Sequence, residues 1–569
     1  HSFSRRQRQM CIRDSLNKAL QLGLYSEYAG DPGFIGQDIQ NILNVTVEDV
    51  QRAYEKYIKD KPAVFLSMVP QDQPNLVLSN STQADVKEEE IVPGAEKNFS
   101  MKYGKEKSEF EKTPTKYDRS EPPFGEPPLL ELPKVWRGDL SNGIKLYGIE
   151  NDELPMIQFT MRIDGGQALD PEGKEGVALL LGSMLKEGTK DRTPAELEEA
   201  IDLLGSSISL SVGLEGMYIS GNTLAKNFNE TISIMTEMLT EPRWDEQAFE
   251  IVKNRRINSI KQRRTNAQSV AFSALARQLY GPGHPASTPL GGTEFSVNSI
   301  TMEDLKNYFS SNLSPKVSHF HIAGDIKQTT AQRLLGQLSQ AWKGEKVNIP
   351  KIPRVEPPSK PKVFFIDIPD AKQSAISVGT LTIPGNDPEL FKLTVVNNRL
   401  GGGMEARLMR TLRLEKGYTY GAGSFLRANS FQTPFYAYSQ VRSNVTLESL
   451  DIFKNIINSY SESYNEEDLE TTKNKLIKSN ALRFERLGSM INMLDTMSKF
   501  NLGDAYILDE QEVLSSMKLD EAKSLAKKRL DGKKMYYVVA GDAKSQLGRI
   551  SKLGYGKPVI LDRDGNKVK

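Results

Sequence analysis

Arg413 and Tyr420 stand seven residues apart in RLGGGMEARLMRTLRLEKGYTYGAGS, residues 399–424, with Gly417 between them. A guanidinium and a phenol are donors suited to a carbonyl oxygen that gains negative charge. The same spacing also fits a structural pair, with Arg413 bridged to Glu415 on the surface and Tyr420 filling the core. His319 and His321 fall on one side of a strand and amount to half a metal site. No third ligand adjoins them, so a packed or solvent-facing pair is the simpler reading. Gly401, Gly402 and Gly403 suggest a phosphate cradle, but neither a Gly-Lys-Ser/Thr continuation nor Rossmann spacing follows. A tight strand-to-helix turn accounts for them better.

The elements that must carry these residues are set by composition and pattern. At 569 residues the chain exceeds one domain, with about three or four expected. Lys+Arg total 74 and Asp+Glu 73, which leaves no net field to steer nucleic acid or an acidic membrane. No apolar run reaches the roughly 18–20 residues of a spanning helix. The opening stretch 1–15, HSFSRRQRQMCIRDS, is basic, lacks periodicity and has no apolar core of a signal peptide. It reads as a non-native leader, translated vector or adaptor sequence, joined to an incomplete reading frame. It holds the only cysteine, Cys11, so the remainder can form no disulfide. Cytoplasm and periplasm both stay open.

One unit recurs three times. Thr46 with Asp49 opens an amphipathic helix before AVFLSMV at 63–69; Thr301 with Asp304 opens another before HFHIAGD at 319–325. A weaker copy runs from Lys518 to MYYVVAGD at 535–542. A threonine N-cap with an acid three residues on satisfies orphan amides, and each copy predicts a helix, a turn and a buried strand. Residues 16–72 then read as the tail of a preceding domain. The charged, proline-rich stretch 73–133 reads as a linker, because it offers too few apolar residues for a core. Residues 134–343 and 361–569 repeat one order of strands and helices, separated by NIPKIPRVEPPSKP and a linker at 344–360. Thr193, Pro194 and Glu196 start a helix that ends near Gly205, followed by a hairpin over 207–224. The fold class is α+β: duplicated α/β domains with mainly antiparallel sheets and helices packed on one side.

Residues 176–189, GVALLLGSMLKEGT, tie this architecture to a family. The stretch resembles the helix G-x-A-H-x-x-E-H-M-x-x-x-G-T of the pitrilysin/insulinase-like zinc peptidases, an inverted zincin motif. Gly176, Ala178, Met184, Gly188 and Thr189 match it. Leu179, Gly182 and Ser183 stand where the family has histidine, glutamate and histidine, and counting on to the third ligand lands on Ser259. Leucine has no donor atom, a neutral serine is a poor zinc ligand, and glycine is no base. LSNGIKL before the motif, and YGPGHPASTPLGGTE with His284 in its loop and TMEDLKNYF after it, occur in the family's order. The resemblance covers 16–72 and 134–569.

The resemblance implies a non-catalytic C-terminal half of a two-half zinc metalloendopeptidase. That half closes the chamber and binds peptide or unfolded protein through Arg413 and Tyr420, the family's R-x-x-x-G-x-x-Y. It implies no cofactor in this chain, zinc in a catalytic half, and that half, or a homologous subunit, as the partner. The chain alone is expected to be inactive. The alternative implied by the same family is a structural assembly protein of the respiratory-complex core-protein type.

Overall fold

Thr46, Thr193 and Thr301 each accept a hydrogen bond from the backbone N–H three residues on, and each receives the reciprocal cap. Helices therefore begin at Val47, Pro194 and Met302, where the sequence places them. The structure is a computed structural model and describes residues 15–70, 72–85, 114–118, 130–480 and 482–568. All of the leader expected over 1–15 except Ser15, and most of the linker expected over 73–133, lie outside the described residues. Two units divide at Val92 and Pro93.

Among its described residues the first unit holds three α-helices, Ser15–Ala29, Ile35–Leu43 and Val47–Tyr57, and a single 3-10 turn, Pro74–Leu76. Tyr25 donates to Asp38 at 2.6 Å and its ring lies 5.8 Å from Phe34. No side chain of the second or third helix is buried. The strand expected over 63–69 does not form: Val64, Phe65, Leu66 and Met68 are exposed in chain without regular structure. An isolated strand leaves its N–H and C=O groups unpaired, and the described residues of this unit provide no second strand to receive it.

The second unit is built on two six-stranded sheets. The first comprises β1 (Val135–Asp139), β2 (Lys145–Glu150), β3 (Met156–Asp164), β4 (Ser207–Val212), β5 (Gly216–Leu224) and β6 (Ser318–Gly324), in the order β1-β2-β6-β3-β5-β4. The second comprises β7 (Lys362–Asp367), β8 (Gln373–Leu381), β9 (Ala422–Leu426), β10 (Pro434–Arg442), β11 (Tyr536–Gly541) and β12 (Val559–Leu561), in the order β12-β7-β11-β8-β10-β9. Five strands correspond one to one, so the internal duplication read from the sequence is visible in the topology. The sheets are mainly antiparallel; β2 with β6, β7 with β11 and β7 with β12 are parallel.

Alternation along β3 separates two faces. Ile157, Phe159, Met161 and Ile163 enter a core with Leu180, Leu181, Phe228, Ile232 and Leu305 from the sheet's own helices. Phe159 stacks on Phe320 at 5.5 Å and meets Phe228 edge-on at 6.1 Å. The opposite face is covered by the helix Leu487–Phe500, which comes from beyond the second sheet's first four strands. Reciprocally, the helix Ala267–Tyr280 leaves the first repeat and lies on β8 and β11. Its Val270, Ala271, Ala274 and Leu275 pack with Ala375, Val538 and Ala540. Gly379 permits the approach, because a Cβ there would lie 3.0 Å from Leu275 Cδ2. Helices thus cover both faces of each sheet, the repeat's own on one and a single exchanged helix on the other. The stretch 344–360 is irregular chain but fastened, with Val355 exchanging two hydrogen bonds with Gln432, at 2.7 and 2.8 Å.

Candidate functional site

The helix Val177–Met184 is positioned by the residues that match the inverted zincin pattern. Gly176 has φ +113°, and a Cβ there would sit 3.0 Å from the Gly291 carbonyl. The Asp170 carboxyl accepts from the Gly176 N–H at 2.6 Å and the Ala178 N–H at 3.0 Å. Burial pushes that carboxyl up to about 7, against the two amides that favour its charged form. Ala178 and Met184 are in the core. Gly188 has φ +95° with no room for a side chain beside the Arg192 carbonyl, and Thr189 donates to Glu237, which also holds Arg192. Every preserved position has a folding role.

The three altered positions have taken other ones. Leu179 packs against the core. Ser183 donates to the Leu179 carbonyl at 3.0 Å, a bond internal to the helix. A Cβ at Gly182 would meet Val212 Cγ2 of β4 at 3.0 Å, so the space a longer side chain needs is filled. Ser259 lies exposed on the helix Glu246–Thr265. Among the described residues no three of His, Cys, Asp or Glu are grouped to hold a metal. This donor set does not fit zinc.

Arg413 and Tyr420 are brought together by the turn between them. The helix Glu389–Gly401 ends in the glycine run, where Gly401 lies against β9; a Cβ there would be 2.2 Å from the Ser424 amide. The run therefore links two helices and is not the strand-to-helix turn expected. The chain then forms the short helix Arg407–Met409 and a widened turn, Arg410–Glu415. Gly417, at φ +62°, stops it: its N–H bonds the Arg413 carbonyl at 3.1 Å and the Tyr418 N–H bonds the Leu412 carbonyl at 2.9 Å. Thr419 then bonds the Gln440 carbonyl, and the Tyr420 ring folds back over the Arg413 guanidinium at 4.4 Å. Tyr420 is 85% exposed, so it does not fill the core. Glu415 pairs with Arg410 at 3.2 Å, not with Arg413. Arg413 keeps only a long contact to Met404 Sδ, 3.9 Å, leaving most of its donors free among the described residues.

The histidines are structural by their surroundings. His321 is fully buried, facing the Thr160 carbonyl through Nδ1 at 3.1 Å and Ser498 Oγ through Nε2 at 2.7 Å. Burial, and then the nearby Arg162 charge, hold it well below the usual histidine range, so the neutral ring donates from Nδ1 and accepts at Nε2. His319 Nε2 lies 3.3 Å from Asp164. His284 stacks on Tyr280 at 4.7 Å, accepts from the Ala286 N–H at 3.1 Å and faces the Pro353 carbonyl at 3.0 Å. Burial lowers its pKa as well. Sequence reasoning missed Arg162, which is buried between Asp164, Asp495 and Ser498.

Two family models match the chain. Residues 149–294 match the family described as Insulinase (Peptidase family M16), and residues 299–476 match the Peptidase M16 inactive domain. The chain belongs to the M16 peptidase family. The M16 match over 149–294 contains Leu179, Gly182, Ser183 and Ser259, and the inactive-domain match contains Arg413 and Tyr420. A similar M16 relative is the Non-peptidase homolog YmxG of Helicobacter pylori, 26% identical over 363 residues, spanning 62% of this chain and 81% of that protein. The Uncharacterized zinc protease YmxG of Bacillus subtilis is 21% identical over 291 residues, 51% of this chain and 70% of that protein. The crystal structure of the peptidase M16 inactive domain from Pseudomonas fluorescens superimposes with a TM-score of 0.66 at 23% identity, covering 72% of this chain and 98% of that one. A protease from Helicobacter pylori gives 0.68 at 16% identity, with 72% and 100% covered. These likenesses establish the M16 fold.

Proposed function

We propose that this chain is the non-catalytic partner of a zinc-bearing M16 half or subunit, closing the chamber and holding peptide substrate. The observation that carries the reading is the Arg413–Tyr420 pair, a half-buried guanidinium with few partners beneath an exposed phenol, on a turn fixed by Gly417. An extended peptide offers carbonyl groups that both side chains can bind. The match to an M16 inactive domain over the same residues supports it. Residues 16–72 fit as the closing segment of a preceding domain, since their third helix and the 63–69 segment expose the apolar side chains such a domain would bury. Any zinc belongs to the partner.

The test is fluorescence anisotropy with a labelled unfolded peptide, followed by cleavage assays on the chain co-expressed with a zinc-bearing M16 partner. Arg413→Ala and Tyr420→Phe are expected to weaken peptide binding by about tenfold or less each, the worth of one or two hydrogen bonds. In the assembled enzyme, both should lower kcat/KM while the chain stays folded. Unchanged binding and turnover in both variants would remove the substrate role.

A further inference from the structure

A cavity of about 440 Å³ opens between the two sheets of the second unit, within the roughly 300–1,000 Å³ of ligand sites. Its apolar wall is aromatic. Phe272 of the exchanged helix Ala267–Tyr280 meets Tyr436 edge-on at 5.5 Å and Phe425 at 6.1 Å, and Leu214 closes the side nearest the β4–β5 turn. Three charged side chains line it: Glu215, Lys499 and Arg427. Glu215 is already engaged, by Lys499 at 3.2 Å and by the Ser430 N–H at 3.1 Å. Arg427 is exposed and makes no side-chain hydrogen bond or ion pair among the described residues. It is the uncompensated charge of the cavity.

A second observation points the same way. Tyr280 is only 5% exposed, yet its hydroxyl has no acceptor: the Asn429 side chain acts on the phenol oxygen as a donor, which leaves the phenol hydrogen unpaired. The polar groups acting on that phenol are Tyr436, Asn429, Arg427 and Glu215, all on the cavity wall. Burial raises the phenol far above its usual range, so it remains a donor at any physiological pH. A buried donor left without an acceptor calls for a ligand that supplies one.

We propose that this cavity binds an apolar residue bearing a free carboxylate, its side chain among Phe272, Phe425 and Tyr436, its carboxylate on Arg427 and the Tyr280 hydroxyl. The chemistry is shared by a free hydrophobic amino-acid derivative and by the C-terminal residue of a peptide. The site does not depend on Arg413 or Tyr420.

Calorimetric titration of the full chain tests it with N-acetylphenylalanine, the corresponding amide, and a short peptide ending in phenylalanine with a free or amidated terminus. The free acids are expected to bind saturably and the amides about tenfold or more weakly, because the amide forfeits the charge-assisted contact. Arg427→Ala should cause a similar loss, Arg427→Lys should restore part of it, and Tyr280→Phe should cost several-fold. Binding of both free acids assigns a peptide terminus; binding of the acetylated residue alone assigns a small carboxylate. Equal affinity for acid and amide, no saturable binding by either acid, or full affinity in folded Arg427→Ala would overturn the proposal.

Discussion

The Arg413 guanidinium lies 4.4 Å from the centre of the Tyr420 ring, and neither residue is committed to the core or to an acidic partner among the described residues. An exposed cation–π contact of this kind contributes about 0.5–1 kcal/mol. Its geometry rests on the left-handed Gly417 between them. Gly417→Ala is therefore expected to cost about 1 kcal/mol in urea unfolding, because an L residue resists that φ. It should weaken peptide binding as much as Arg413→Ala does. Full peptide affinity in Gly417→Ala would separate the turn from the site.

The space at position 182 makes a second prediction. Gly182→Glu forces a side chain against Val212 and buries a carboxyl, so stability should fall by about 2 kcal/mol or more. Val212→Ala costs stability on its own but should recover part of the loss when combined with Gly182→Glu. Strictly additive losses in urea titrations would show that Val212 is not the obstruction.

Arg162 pairs with Asp164 of its own strand β3 at 2.8 Å and joins that strand to the exchanged helix Leu487–Phe500 through Asp495. Its side chain is 3% exposed. Arg162→Ala leaves a partly buried carboxylate on each element, and breaking such a pair costs about 3–5 kcal/mol. Hydrogen exchange should show the 487–500 helix losing protection before the sheet. Uniform loss across the unit would contradict a local role.

His321 sets a pH dependence. Its folded pKa lies below its unfolded one, so the folded state resists the proton that the unfolded chain accepts. Stability is full above about pH 6.5, the ordinary histidine value, and declines as pH falls from there toward the lowered folded value. His284 shifts in the same direction and adds to the slope. Urea midpoints at pH 7.5 and 5.5 should differ less in His321→Asn than in the parent chain. An unchanged slope would assign the acid sensitivity elsewhere.

Much of the local structure was legible because it is local. The capping threonines, the helix from Pro194 and the hairpin over 207–224 depend on neighbours within a few residues, and all form where the pattern places them. The 63–69 strand failed because a strand depends on a partner elsewhere. The exchanged helices could not be read as such. Ala271, Ala274 and Leu275 mark a helix that packs closely, but nothing in their spacing says which sheet receives them. Likewise the motif's Gly176, Gly188 and Thr189 identify the helix, while the filled space at Gly182 comes from β4, beyond the motif itself. Arg413 and Tyr420 were found by type and spacing; their stacking required the turn at Gly417.

The reciprocal helices also govern the order of events during synthesis. The outer face of the first sheet, with Arg162 and His321 upon it, stays uncovered until the ribosome has passed Phe500. The second sheet faces the reverse situation, since its cover, Ala267–Tyr280, is made before any of its strands. Neither repeat can complete its folding as a nascent segment, and each exposes apolar surface when separated from the other. Expression of either repeat alone therefore produces an aggregation-prone chain, and the smallest soluble unit must contain both.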